Sequence, residues 1–353
     1  MKIFMVIKRL DYSGACKMFV WLANSLCKKG HEVTIMTFMS RNTAELEKNI
    51  KWIQYDYLEN KSIVKKIIII RRNIQEYKPD VSVSFLLDAN VYNTFACMGL
   101  KTKSVISERN DPFKPGYWVL KFWKPWFRFA KGAVFQLPRV AEYYNNIKAP
   151  TAVIPNPVLC HNDIDIAPFE NRPDTINILG RLDIFQKRHD VLIEAFSKFV
   201  EWYSSFKLVF YGDGPDKEEM RNQVSKLGLE GKVIFAGITN TPFEVMKNSK
   251  MYVLTSDFEG IPNSLIEAMS IGLPCISTDC RPGGARLLID DGVNGFIVPQ
   301  GDSDAIAEKM KWYMQHPNEA NLYGKRAKNI SERFTEKKVT QMWDKYLGSL
   351  MNS

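Results

Sequence analysis

A chain of 353 residues, 45% hydrophobic and 25% charged, exceeds what one hydrophobic core usually supports and has an ordinary folded composition, which excludes a disordered chain and points to two domains. Its six cysteines form no C-x-x-C pair and have no metal-ligand spacing to the four histidines, so reduced thiols in cytosol are expected and a structural zinc site is not. The net charge of +9 is uneven: residues 1–165 carry 25 Lys and Arg against 14 Asp and Glu, residues 166–353 carry 23 against 25, and the basic first half suits a phosphate-bearing partner.

The first run, "MKIFMVIKRL", is too short for a signal peptide and lacks a small-residue cleavage site, so it reads as a buried strand. Further strands are predicted at "EVTIMTF", "VSVSFL", "KSVIS" and "AVFQ", separated by amphipathic segments such as "ACKMFVWLANSLCKKG", which stops at Gly30. The segment "SIVKKIIIIRRNIQEYKP" reads as a core helix ending at Pro79, and no stretch reaches the roughly 18 apolar residues of a membrane span. Then comes "GYWVLKFWKPWFRFAK", residues 116–131, where Trp118, Trp123 and Trp126 alternate with Lys124 and Arg128. Such a run suits a core helix, a stacking platform for single-stranded nucleic acid, or a membrane surface on which aromatics sit at headgroup depth and cations meet anionic lipid.

A stretch rich in Pro, Asn and Asp, "TAVIPNPVLCHNDIDIAPFENRPD", separates this half from a second series of strands at "INILG", "KLVFYG", "KVIFAG", "MYVLTS" and "PCIST". The expected architecture is α/β: two doubly wound Rossmann-like domains, residues 1–158 and 172–335, with a linker at 159–171 and a helix at 336–353 free to pack back on the first. Ligands of such folds lie beyond the carboxyl ends of the strands, here in a cleft between two sheets.

Residues with chemistry fall after the strands. Gly14 opens a helix whose N-terminal amides suit a phosphate, although one glycine is equally a plain turn. No G-x-G-x-x-G occurs, which counts against a nicotinamide or flavin site. In "ILGRLDIFQKRHDVLIEAF", Arg181 offers a planar fork for phosphate and Lys187 a mobile point charge, or both are solvated surface. Gly212, Gly214 and Gly237, the last followed by Ile238, permit close backbone approach at further strand ends.

The stretch "SDFEGIPNSLIEAMSIGLPCIST" places Glu259 before a helix that Pro262 starts and Gly272 closes, and Glu267 on that helix. An acid beside a helix N-terminus is odd unless the ligand carries both phosphates and hydroxyls. A nucleotide sugar does: Glu267 would accept from the ribose diol, Glu259 from the sugar hydroxyls, with the amides around Gly260 and Ile261 facing phosphate or sugar oxygens. In isolation, two glutamates eight apart are as readily a loop acid and a helix-surface acid.

The set "GRL…K…LIEAF", "YGDGP", "FAG", S-x-x-E-G-x-P-x-x-x-x-E-A-M-x-x-G-x-P and "DGVNGFIV", in this order, resembles retaining glycosyltransferases of family four, which have the GT-B fold. The likeness is dense over residues 178–300 and looser before. It implies a nucleotide-sugar donor in the C-terminal domain, an acceptor in the N-terminal one, no metal and no cofactor beyond a UDP-sugar substrate. It also implies Arg181 and Lys187 on the diphosphate, Glu267 on the ribose and Glu259 at the donor sugar. Relatives often carry histidine in an S-x-H-D-type segment where this chain reads "VISERNDPF", which is closer to bacterial surface-polysaccharide transferases. There Arg109 suits a sugar or phosphate and Glu108 a base, or the two form a strand-capping salt bridge. Ser13-Gly14 stands where two glycines are common, and Arg188 replaces a frequent glycine.

The resemblance implies a hexosyltransferase of surface polysaccharide, O-antigen or capsule synthesis that acts on a lipid-linked saccharide, peripheral on the inner face of the cytoplasmic membrane, with no nucleic-acid partner. Two alternatives stay open: a nucleotide-sugar epimerase on the same fold, and a catalytically dead membrane or nucleic-acid adaptor.

Overall fold

The computed structural model describes residues 1–11, 13–39, 45–114, 118–159 and 164–351. Gly116 and Tyr117 of the aromatic run and residues 160–163 of the expected linker lie outside them. The chain divides into two units, Met1–Asn156 with Glu336–Ser353, and Pro157–Thr335.

The first unit is built on strands β1 (Lys2–Val6), β2 (Glu32–Thr37), β3 (Lys51–Gln54), β4 (Val81–Phe85), β5 (Lys103–Glu108), β6 (Gly132–Phe135) and β7 (Thr151–Val153). They form one parallel sheet in the order β3-β2-β1-β4-β5-β6-β7, so the winding reverses between β1 and β4. Central strands with helices on both faces need apolar side chains on both, and β4 and β6 are buried at every position. β3 and β7 are short, half-exposed edges that the sequence reading missed, because neither has an apolar run. Buried polar groups between β4, β5 and the helix Leu87–Cys97 are mutually satisfied: Ser82 Oγ donates to Asn93 at 2.6 Å and Ser84 Oγ to Asn90 at 2.9 Å.

The helix Glu336–Met351 completes this unit. Trp343, fully buried, stacks on Phe85 with ring centroids 6.1 Å apart, Trp21 Nε1 donates to Glu336 at 2.7 Å, and Tyr346 donates to the Pro150 carbonyl at 2.8 Å. A Cβ at Gly132 would stand 2.5 Å from the Tyr346 hydroxyl, so β6 must carry glycine where the helix crosses.

The second unit contains β8 (Thr175–Leu179), β9 (Lys207–Tyr211), β10 (Val233–Gly237), β11 (Tyr252–Leu254), β12 (Cys275–Thr278) and β13 (Phe296–Val298). Two parallel three-stranded sheets, β10-β9-β8 and β11-β12-β13, meet through the Ile176–Met251 bridge and a 2.8 Å hydrogen bond from Lys250 N to the Thr175 carbonyl. The winding therefore reverses between β8 and β11, the switch point at which open sheets of this kind bind ligands. β13, only three residues long, was not foreseen. Phe169, inside the expected linker, is buried in the core of this unit.

Candidate functional site

The loops that leave β8, β9 and β10 are laced backbone to backbone. Gly212 N donates to the Gly237 carbonyl at 2.8 Å, and Leu182 N donates to the Asp213 carbonyl at 3.1 Å. A Cβ at Gly212 would lie 1.8 Å from the Gly180 carbonyl oxygen, and one at Gly214 would lie 2.0 Å from that of Leu182. These glycines are thus required by loop-on-loop packing, a reason the sequence did not disclose. Ile238, just past β10, holds its side chain out to solvent.

Arg181 projects outward, 67% exposed, with Asp183 at 3.8 Å as its ion-pair partner. Asp183 caps the turn Ile184–Lys187 by accepting from Gln186 N at 3.0 Å, and Asp216 accepts from Ile184 N at 2.7 Å. His189 pins the main chain from below, its Nε2–H donating to the Arg181 carbonyl at 3.1 Å. Burial pulls this imidazole down to about 4, so it is neutral at pH 7.

This turn is fastened to the loop that follows β11. Thr255 Oγ1 donates to the Lys187 carbonyl at 2.8 Å, Asp257 N to the Gln186 carbonyl at 2.9 Å, and Gln186 Nε2 to the Phe258 carbonyl at 3.1 Å. Arg188 adopts φ +50, a left-handed conformation unfavourable for a side-chain residue, while its guanidinium bridges Asp190 at 3.1 Å and Asp257 at 3.0 Å. That double ion pair explains how arginine stands where glycine is frequent.

Lys187 Nζ pairs directly with Glu259, their side chains 20% and 12% exposed. Glu259 Oε1 also accepts from Ser256 Oγ at 3.0 Å, and its backbone N–H donates to the Arg281 carbonyl at 2.7 Å. The Gly260 carbonyl oxygen lies so close to Gly284 that a Cβ there would meet it at 1.8 Å, and Ile261 is buried. Pro262 is the cap rather than the first residue of the helix Asn263–Ser270, on which Glu267 lies half-buried; Gly272, φ +86, closes the helix as expected.

Two buried groups sense these charges. The Tyr252 phenol is raised by burial and further by the carboxylates of Glu259 and Glu267, while Ser264 hydrogen bonding opposes. Burial pushes the Cys280 thiol up to about 12, Glu259 raising it and Lys187 lowering it. Lys187 and Glu259 are in direct contact beyond β11, and Glu267 follows on the helix Asn263–Ser270. Tyr252 and Ser256 sit within a run read simply as a strand, Ser256 also opening the S-x-x-E-G motif, and Cys280 figured only in the cysteine count.

The remaining expected residues lie in the first unit. Gly14 opens the helix Gly14–Lys28. Glu108 ends β5, buried, with Oε1 accepting from the N–H groups of Arg109 at 3.0 Å and Asn110 at 3.1 Å, and Oε2 without a hydrogen bond. Burial raises its carboxyl to about 7. Arg109 donates to Asn156 at 3.1 Å and lies over Phe85 at 4.2 Å and Trp343 at 5.7 Å. The same burial lowers it to about 9, so it stays cationic at pH 7.

The aromatic run forms the helix Trp118–Trp123 and the 3-10 segment Lys124–Phe129. It is neither all core nor all surface: Leu120 and Phe127 are buried, whereas Trp118 and Phe122 are 72% and 62% exposed. Trp123 and Trp126 pack on Phe95, at 6.3 and 5.3 Å, Lys124 lies over Tyr143 at 4.1 Å and Arg128 over Phe129 at 4.8 Å. The helix Ile63–Tyr77 departs from the core expectation: Ile63, Val64 and Ile68 are exposed beside Lys61, Lys65 and Arg72. Among the described residues no helix is long and apolar enough to cross a membrane.

Residues 162–330 match the family described as "Glycosyl transferases group 1". Over its whole length the chain is 29% identical to a Campylobacter jejuni enzyme named as a GalNAc-alpha-(1->4)-GalNAc-alpha-(1->3)-diNAcBac-PP-undecaprenol alpha-1,4-N-acetyl-D-galactosaminyltransferase, covering 100% of each protein. It is 37% identical to the lipopolysaccharide 1,6-galactosyltransferase of Salmonella typhimurium over 43% of each. Among solved structures, Anabaena HepE in complex with UDP and glucose superposes with a TM-score of 0.81 at 18% identity, covering 99% of this chain and 100% of that one. The fold is accordingly that of the GT-B glycosyltransferases.

Proposed function

We propose that this glycosyltransferase, whose residues 162–330 match the glycosyl transferases group 1 family, moves a hexose or N-acetylhexosamine from a UDP-sugar to a lipid-linked glycan during surface polysaccharide synthesis, with retention at the anomeric carbon. The observation that carries this is the direct pairing of Lys187 with Glu259 just past the switch point of the second unit, with Glu267 on the helix that follows. A cation for the diphosphate and carboxylates for hydroxyls are what a nucleoside diphosphate sugar demands of one site. The name of the full-length Campylobacter relative, which contains an undecaprenol diphosphate-linked glycan, supports the acceptor class, and the HepE complex supports UDP.

As the glycosidic bond breaks, negative charge grows on the β-phosphate. Arg181 and Lys187 stabilise it in place, without a metal, and loss of either fixed cation costs on the order of 100- to 1,000-fold in rate. Glu259 faces the sugar, where positive charge builds, and Glu267 holds the ribose.

The first unit supports peripheral attachment to the inner face of the cytoplasmic membrane. The helices Ile63–Tyr77, Leu87–Cys97 and 118–129 lead from β3 to β4, β4 to β5 and β5 to β6, the same direction across the sheet, so right-handed crossovers put all three on one face. Arg71 donates to the Ala96 carbonyl at 3.0 Å, binding the first of these to the second, and Phe95 binds the third. Exposed Val64, Ile68, Trp118 and Phe122 thus share a face with Lys61, Lys65, Arg72, Lys121 and Arg128, a composition suited to anionic lipid.

Calorimetric titration with UDP tests the donor site. Arg181→Ala, Lys187→Ala and Glu267→Ala each weaken binding at least tenfold in a chain that remains folded; unchanged affinity in all three removes the assignment. UDP released only in the presence of acceptor, with no epimerised donor, separates transfer from epimerisation.

A further inference from the structure

The Lys187–Glu259 ion pair poses a problem for the site it occupies. The same ammonium is needed for a phosphate and the same carboxylate for a sugar, yet in the structure each satisfies the other. The pair is four-fifths buried or more, so neither charge is freely compensated by water, and a ligand must replace what it takes away.

The surroundings allow such an exchange without moving the chain. The main chains on both sides are fixed: Lys187 through its carbonyl to Thr255, Glu259 through its N–H to the Arg281 carbonyl, and the two loops to each other through Gln186 and the Arg188–Asp257 ion pair. Only the Lys187 side chain, with four rotatable carbons, has to swing. Glu259 keeps a second, neutral partner in Ser256 Oγ at 3.0 Å, which is itself anchored because the Ser256 carbonyl accepts from Thr278 Oγ1 at 2.6 Å.

We propose that Lys187 and Glu259 hold each other's places in the empty site, and that the donor diphosphate draws Lys187 away and so releases Glu259, steadied by Ser256, to accept hydrogen bonds from the sugar. This rests on the donor-site assignment above. It makes recognition of the sugar conditional on the pyrophosphate: a free sugar meets a carboxylate already engaged, whereas a nucleoside diphosphate sugar brings the anion that frees it. It also means that part of the Lys187–phosphate attraction is used to break the resident pair, so UDP binds more weakly than the site's charge would allow.

The consequence runs against the usual effect of deleting a site residue. Glu259→Gln, nearly isosteric, leaves Lys187 unpaired and tightens UDP binding about threefold to tenfold, the scale expected of a partly buried ion pair. Titration of the full chain with UDP, alongside thermal melts that confirm folding, provides the test. Lys187→Ala weakens UDP, and the double variant Lys187→Ala/Glu259→Gln binds no tighter than Lys187→Ala alone.

Affinity in Glu259→Gln that is unchanged or weaker, while Lys187→Ala is impaired, overturns the exchange and leaves the donor site standing. An equal gain in the double variant overturns it as well, since the gain then does not depend on freeing Lys187. UDP affinity untouched by Lys187→Ala alone overturns the exchange, and affinity untouched by Arg181→Ala, Lys187→Ala and Glu267→Ala alike removes the donor-site assignment itself.

Discussion

Glu108 shows how little a residue type says before its surroundings are known. In sequence it is an acid at a strand end, suited to a base or to a salt bridge with Arg109. In the structure it caps two backbone N–H groups with one oxygen, and the other makes no hydrogen bond, while Arg109 turns to Asn156 and the rings of Phe85 and Trp343. Burial raises its carboxyl from 4.5 to about 7. A folded value above the unfolded one means the folded state gains a proton, so that this contribution to stability is full below the unfolded value and is lost as pH rises through the folded one. Melting temperature should therefore fall between about pH 5 and pH 8 more steeply for wild type than for Glu108→Gln. Parallel slopes in the two melting series would show that Glu108 does not titrate in that window. Arg181, Lys187, Glu259 and Glu267 stood out in the sequence through the motifs that carry the family resemblance, since each in isolation reads as well as solvated surface. Tyr252 did not, since an aromatic residue in a buried run looks like packing until its neighbours are known, and Cys280 was one cysteine among six.

At the scale of elements, strands were read where parallel sheets leave their clearest mark, in apolar runs buried on both faces such as β1. The edges β3 and β7 and the short β13 left no such mark, and the start of the second unit, which buries Phe169, was assigned to a linker for its prolines and asparagines. Glycines show the same limit. Gly284 and Gly348 are indistinguishable as letters. A Cβ on the first would lie 1.8 Å from the Gly260 carbonyl oxygen and 3.1 Å from Pro262 Cδ, whereas one on the second meets nothing within 4 Å, inside the helix Glu336–Met351. Gly284→Ala should lower the melting temperature by several degrees and weaken UDP binding, because the turn carrying Glu259 must shift to admit the methyl group. Gly348→Ala should instead raise stability by about 0.5–1 kcal/mol, the helix-interior preference for alanine. Differential scanning calorimetry on the pair reads both signs, and equal effects would contradict the contact geometry.

At the scale of the whole molecule, the two halves separate in charge as they do in chemistry: the acidic-leaning second unit holds the site built from Lys187 and two glutamates, and the basic first unit carries the apolar face. Sequence placed the aromatic run on a candidate membrane surface but left its members equal. Trp118 and Phe122 are the most exposed, Trp126 is less so and packs on Phe95, and Trp123 is spent on the same ring. Replacing Trp118 and Phe122 by serine should cut co-sedimentation with anionic liposomes several-fold and leave UDP affinity intact, whereas equal sedimentation would return the face to ordinary surface. The helix Glu336–Met351 carries a different implication. It belongs to the first unit but follows the second along the chain, and Trp343 closes the surface formed by Phe85. During synthesis the ribosome must therefore make 195 more residues after Asn156 before residue 351 emerges, a wait of roughly 10 to 40 s at ordinary elongation rates. Through that interval the nascent amino-terminal half exposes an unfilled aromatic socket, which is when a chaperone or a stray nascent chain has its opportunity to bind.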